Sequence, residues 1–137
     1  MIPLKSIFIT GASSYIGQMI ANNLKNEFKL VFLINRRTIS IPGVKAEIVK
    51  GGLDNVAKHS DIVQNTDLIV HLAGLTHANS EEEYLEVNLE GTRKLLNVCR
   101  KDQPIIYLST ICSTKEGGGY SRSKFYAEQT IIESGFP

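Results

Sequence analysis

Apolar residues fall along the chain in two patterns that alternate. Short unbroken runs (Ile7-Phe8-Ile9, Leu30-Val31-Phe32-Leu33-Ile34, Leu68-Ile69-Val70, Ile105-Ile106-Tyr107-Leu108) are bounded by polar, glycine or proline residues. Runs of that length, apolar on every position, predict strands covered on both faces. They place strands over 5–10, 30–34 and 104–108, a short one over 44–49, and a fourth running from Asp67 into a small-residue loop at Ala73-Gly74. Between them lie helical patterns. Ile16, Met19, Ile20 and Leu24 share one face of a helix over 16–27, with Gln18, Asn22, Asn23 and Lys25 turned to water. A polar helical stretch runs to about Gln64. A long helix starts at Ser80, where Ser80 and Glu83 form a capping box, and ends near Asp102; its acids lie at the start and Arg93, Lys94, Arg100 and Lys101 towards the end, as the dipole favours. A last helix runs from Tyr120 to about Ser134, stopped by Gly135. Strands alternating with helices predict an α/β fold: one doubly wound parallel sheet, Rossmann-like, with helices on both faces and one domain over 1–137.

The first strand leads into Thr10-Gly11-Ala12-Ser13-Ser14-Tyr15-Ile16-Gly17. Strand, glycine turn and helix start, in that order, form a site for a dinucleotide pyrophosphate. Gly11 permits the tight turn, Gly17 lets helix and strand pack closely, and the unpaired N–H groups of the first helical turn face the phosphates. Ser14 stands where the usual pattern has its middle glycine; its small side chain allows binding and offers a hydroxyl to phosphate. Such a cluster is also compatible with an ordinary turn, so the rest of the chain decides. After the second strand come Asn35-Arg36-Arg37, with no acid. An acid there binds ribose hydroxyls, and arginine accommodates a 2′-phosphate. The two arginines read either as a solvated basic loop or as that phosphate site; with the glycine loop upstream, NADP is favoured and NAD is the alternative. Ala73-Gly74 reads as a tight turn or as room for a flat ring or phosphate.

Composition narrows the partners. A net charge of +1 gives no electrostatic reason to expect nucleic acid. No apolar run reaches membrane-spanning length and no leader pattern opens the sequence, so a cytoplasmic protein is expected. Cys99 and Cys112 form no metal spacing or disulfide framework and read as buried small hydrophobes. His59, His71 and His77 form no ligand cluster, and no metal is expected.

Tyr120-Ser121-Arg122-Ser123-Lys124 puts a phenol and an ammonium four residues apart, on one helical face. Tyrosine is a poor base at neutral pH, with an ordinary pKa of about 10. An ammonium and a cationic nicotinamide nearby favour the phenolate, so the pair could move a proton to or from an alcohol while a coenzyme carries the hydride.

Thr10-Gly11-Ala12…Ile16-Gly17, His71-Leu72-Ala73-Gly74, Val87-Asn88-Leu89-Glu90-Gly91-Thr92, Leu108-Ser109-Thr110 and Tyr120…Lys124 occur in this order. On these motifs the chain resembles the extended short-chain dehydrogenase/reductase superfamily, the branch of nucleotide-sugar epimerases, dehydratases and reductases. The resemblance implies Tyr120 as general acid/base and Lys124 as its tuner and nicotinamide-ribose ligand. Thr110 (or Ser109, one register away) would bind the reacting oxygen, and Asn88 would support the site and a relay water. It implies a coenzyme set of Gly11, Ser13, Ser14, Tyr15, Ile16, Gly17, Arg36, Arg37, Leu53, Leu72, Ala73, Gly74 and Lys124.

Besides Ser14, three departures qualify it. Gly52 replaces the acid that holds the adenine amine, with Asp54 as a substitute two positions on. The segment between Thr110 and Tyr120 is short and lacks a Val-Tyr-Gly stretch. The sequence stops where the superfamily begins its sixth strand, so the last strands and a substrate domain are expected to be missing. The implied activity is hydride transfer on a nucleotide-activated sugar. The alternatives are reduction of a non-sugar carbonyl, or a non-catalytic dinucleotide sensor or scaffold, against which the complete tetrad argues. A homodimer through the helices of Asn88 and Tyr120 is also implied.

Overall fold

A computed structural model describes residues 5–36 and 40–137. Five strands, β1 (Ser6–Thr10), β2 (Lys29–Ile34), β3 (Ala46–Lys50), β4 (Leu68–His71) and β5 (Ile105–Tyr107), form one parallel sheet in the order β3-β2-β1-β4-β5. The expected doubly wound sheet is therefore present. Its order reverses between β1 and β4, which opens a crevice beyond their carboxyl ends.

Alternation along each strand divides the core in two. Phe8, Val31, Leu33, Val49 and Ile69 face a layer made by a 3₁₀ segment (Leu53–His59), α2 (Ser60–Gln64) and α4 (Gly91–Val98). Ile7, Ile9, Leu30, Phe32, Leu68 and Val70 face α1 (Tyr15–Leu24). α1 is rotated from its expected setting. Its buried residues are Gly17 and Ala21, whereas Ile16 and Met19 are 43% and 49% exposed and Ile20 and Leu24 only partly covered. The reason is steric. A Cβ on Gly17 would lie 2.5 Å from the Gly11 carbonyl oxygen, so the helix can close on the turn only with its small residues inward.

The long helix also differs from expectation. It begins as α3 (Glu81–Tyr84), widens into a π segment (Leu85–Glu90) and continues as α4, ending at Val98 rather than near Asp102. The widening shows in the Gly91 N–H, which donates to Glu86 O, five residues back. At its start Ser80 caps Glu83 N–H as expected, but the Glu83 carboxylate accepts from Asn79 N–H, one residue outside the box. α5 (Gly119–Ser134) ends at Gly135 with φ +74°, the left-handed cap its glycine predicts. Cys99 is buried and Cys112 exposed, against the expectation that both are core residues, because Cys112 lies on the loop after β5. Among the described residues no helix is long and apolar enough to cross a membrane.

Candidate active site

The crevice at the carboxyl ends of β1 and β4 is a cleft of about 740 Å³. Gly11, Ser13 and Ser14 line it from the β1 loop, Arg36 from the end of β2, Leu53 from the turn after β3, and Leu72, Ala73 and Gly74 from the β4 loop. Eight of the expected coenzyme residues therefore share one wall system. Gly11 has φ +72°, and a Cβ there would lie 2.7 Å from Ala73 N, so the two loops touch only because this position is glycine.

Others fall elsewhere. Tyr15 is 79% exposed, and it and Ile16 occupy the outer first turn of α1 rather than the cleft wall. Gly17 lies beneath the turn. Arg37 lies outside the described residues. The Ser14 hydroxyl, expected to face phosphate, is engaged within the loop: it accepts from Gly17 N–H at 3.0 Å and donates to Gly11 O at 2.7 Å. It acts as the N-cap of α1.

The wall also contains residues that the motifs did not disclose: Asn35, Leu75, Thr76, Glu86, Val87 and Lys94. At Gly52, where an acid was missing, the space is filled from two sides. A Cβ there would lie 2.7 Å from Asp54 Oδ1 and 3.1 Å from Asn35 Nδ2. Asp54 thus lines this wall beside Gly52.

The π segment lines the cleft with Glu86 and Val87, and β5 and α5 lie behind it. Asn88 is buried, and its side chain is fully engaged. Its Oδ1 accepts from Leu75 N–H at 2.6 Å, and its Nδ2 donates to Leu75 O at 3.0 Å and to Ser123 Oγ at 2.9 Å. It therefore splints the β4 loop to α5. Lys124 is buried, with its ammonium donating to Leu108 O at 2.7 Å and lying 4.3 Å over the Tyr107 ring. A Cβ on Gly74 would lie 3.9 Å from this Nζ, so the ammonium borders the cleft without forming part of its wall. Burial lowers the Lys124 pKa to about 8, against the opposing pull of Glu128.

Tyr120, half-buried one turn before Lys124, faces Tyr84 with ring centroids 6.0 Å apart. The first turn of α5 is held by Arg122, which donates to both carboxylate oxygens of Glu81 at 2.5 and 2.7 Å and to Gly117 O. Of the two hydroxyls after β5, Ser109 donates to Glu128 at 2.8 Å, beside a parallel bond from Ser113 at 2.7 Å. Thr110 accepts from Cys112 N–H at 3.3 Å and keeps its hydroxyl proton for another acceptor.

Comparison with known proteins agrees with this fold. The structure of MoeE5 in complex with UDP-glucose and NAD superposes with a TM-score of 0.77 at 22% identity, covering 94% of this chain and 48% of that one. A sterol-4-alpha-carboxylate 3-dehydrogenase (decarboxylating) of Dictyostelium discoideum is 26% identical over 103 residues, 72% of this chain and 31% of the relative. A trifunctional UDP-glucose 4,6-dehydratase/epimerase/reductase of Arabidopsis thaliana is 30% identical over 113 residues, 70% of this chain and 17% of the relative. The chain thus spans about half of that solved structure and less than a third of these two relatives. Residues 7–134 match the NAD dependent epimerase/dehydratase family, and the chain belongs to that family.

Proposed function

We propose that these residues form the coenzyme-binding and proton-transfer part of an NADP-preferring enzyme that interconverts an alcohol and a ketone on a nucleotide-activated sugar. The observation that carries the reading is the placement of Lys124. Its ammonium is buried at the border of a dinucleotide-sized cleft, behind Gly74 and one turn along α5 from Tyr120, with a pKa near the working range of a proton-transfer site. The bound nicotinamide would supply hydride transfer. Tyr120 would hold or release the alcohol proton, Lys124 would favour its phenolate, and Thr110 would orient the reacting oxygen. Ser109 is the weaker candidate because its proton is engaged by Glu128.

Arg36 supports the 2′-phosphate reading: it is exposed at the cleft and follows Asn35, so no acid stands at the end of β2 to repel the phosphate. The nucleotide-sugar class is supported by the Arabidopsis thaliana relative, a UDP-glucose 4,6-dehydratase by name, of which this chain matches a part. The test is calorimetric titration with NADP and, separately, NAD. Tighter NADP binding that weakens about tenfold in Arg36→Ala, with NAD unaffected, is expected for loss of one charge-assisted phosphate contact. Preference for NAD overturns the phosphate assignment, and binding of neither overturns the coenzyme reading. Tyr120→Phe should retain binding and abolish any turnover of UDP-sugars followed at the nicotinamide absorbance.

A further inference from the structure

His71 is wholly buried at the end of β4, and no role in the proposed reaction requires it. Both ring nitrogens are engaged. Nδ1 lies 2.7 Å from Thr10 Oγ1 on the neighbouring strand, and Nε2 lies 2.9 Å from Thr92 Oγ1 on α4. Proton counting orders this chain of bonds. The Thr92 hydroxyl donates to Asn88 O at 2.6 Å, so towards Nε2 it can only accept, and Nε2 must carry the proton. Thr10 Oγ1 accepts from Ala73 N–H at 3.1 Å, and its own proton then serves the bare Nδ1. Every donor meets an acceptor, and the imidazole is neutral.

The two ends of this chain are informative. One is the Ala73 amide, in the β4 loop of the cleft. The other is the Asn88 carbonyl, whose own side chain grips Leu75 two residues further along the same loop. The loop is therefore held at both ends by one connected set of bonds. We propose that His71 is a positioning residue: as the Nε2–H imidazole it fixes the backbone of residues 73–75 to the π segment that carries Asn88, so that cleft wall and proton-transfer helix keep one relative setting. The loop's part in coenzyme binding rests on the reading above; the tautomer and the coupling do not.

The surroundings agree. The Tyr107 ring covers the imidazole at 5.3 Å between centroids, and the Lys124 ammonium above that ring disfavours a second positive charge. Burial is the larger cause of the same preference, and the His71 pKa falls to about 3.

The test begins with long-range ¹H–¹⁵N correlation on the labelled, unsubstituted chain between pH 5 and 8. One histidine should show the Nε2–H pattern without titrating. An Nδ1–H pattern, or titration of His71 in that range, overturns the proposal. Thr92→Val removes the acceptor while keeping the volume; Thr92→Ser keeps the acceptor. Amide exchange at Ala73 and Leu75 should quicken about tenfold or more in the valine variant and stay within about twofold in the serine variant. Equal exchange in all three proteins overturns the coupling. If the valine variant does not fold, the tautomer and the serine variant still decide. An unsubstituted chain that binds no NADP but shows the tautomer and the exchange pattern would defeat the coenzyme reading and leave this one standing.

Discussion

The two faces of the sheet are built from the same strands, yet they end differently. On the α1 face the last paired positions of the three neighbouring strands β1, β4 and β5 are Ile9, Val70 and Ile106. On the α4 face, one residue further along, they are Thr10, His71 and Tyr107, in register across three strands. One residue of offset converts an apolar row into a row of hydrogen-bonding side chains. The buried polar residues Asn88, Thr92, Ser123 and Lys124 gather over that second row. Stability and chemistry thus share the strands by alternation: the interior of each face is hydrocarbon, and only the carboxyl-terminal end of one face is polar.

The comparison can be broken at graded depth. Phe8→Ala, in the hydrocarbon interior of the α4 face, should cost about 3–5 kcal/mol in denaturant unfolding. At the polar end the same face should respond to acid. The folded His71 pKa of about 3 lies below its unfolded value of 6.5, so the unfolded chain takes up the proton first. The stability contributed is whole above pH 6.5 and declines as pH falls towards 3, at about 1.4 kcal/mol per pH unit. Unfolding curves at successive pH values measure that slope, and a flat profile between pH 6 and 4.5 would mean that the imidazole is not held neutral. Ser14→Ala, which removes the cap of α1, should lower stability by about 0.5–2 kcal/mol. Ile106→Gln, at a position 56% exposed on the α1 face, should change stability by no more than about 0.5 kcal/mol. A larger loss there would mean that this end of the apolar face is covered in solution.

Much of this architecture was legible in the sequence. The unbroken apolar runs located four strands, the short third strand was placed without such a run, and the glycine loop located one wall of the cleft. The setting of α1 was misread because Ile16 and Met19 outweighed Gly17 and Ala21 in the pattern, although close packing against the turn admits only the small residues. The π segment leaves no mark in hydrophobic spacing. His71 was read only as part of a motif and as no metal ligand, since its partners lie 61 and 21 residues away and come together only across the sheet and its helical layer.

The π segment makes the chain sensitive to length as well as to composition. The bond from Gly91 N–H to Glu86 O closes a turn with one residue more than an α-turn holds. Deleting any one residue between Leu85 and Glu90 would let that turn relax to ordinary α pitch, at no cost in helical bonding. The flanking helix would keep its phase, because the wide turn spreads its extra residue over about the rotation of one α-turn. Thr92 would stay beside the imidazole and Leu95 in the core, while the residues of the wide turn itself, Asn88 among them, would lose their setting over the β4 loop.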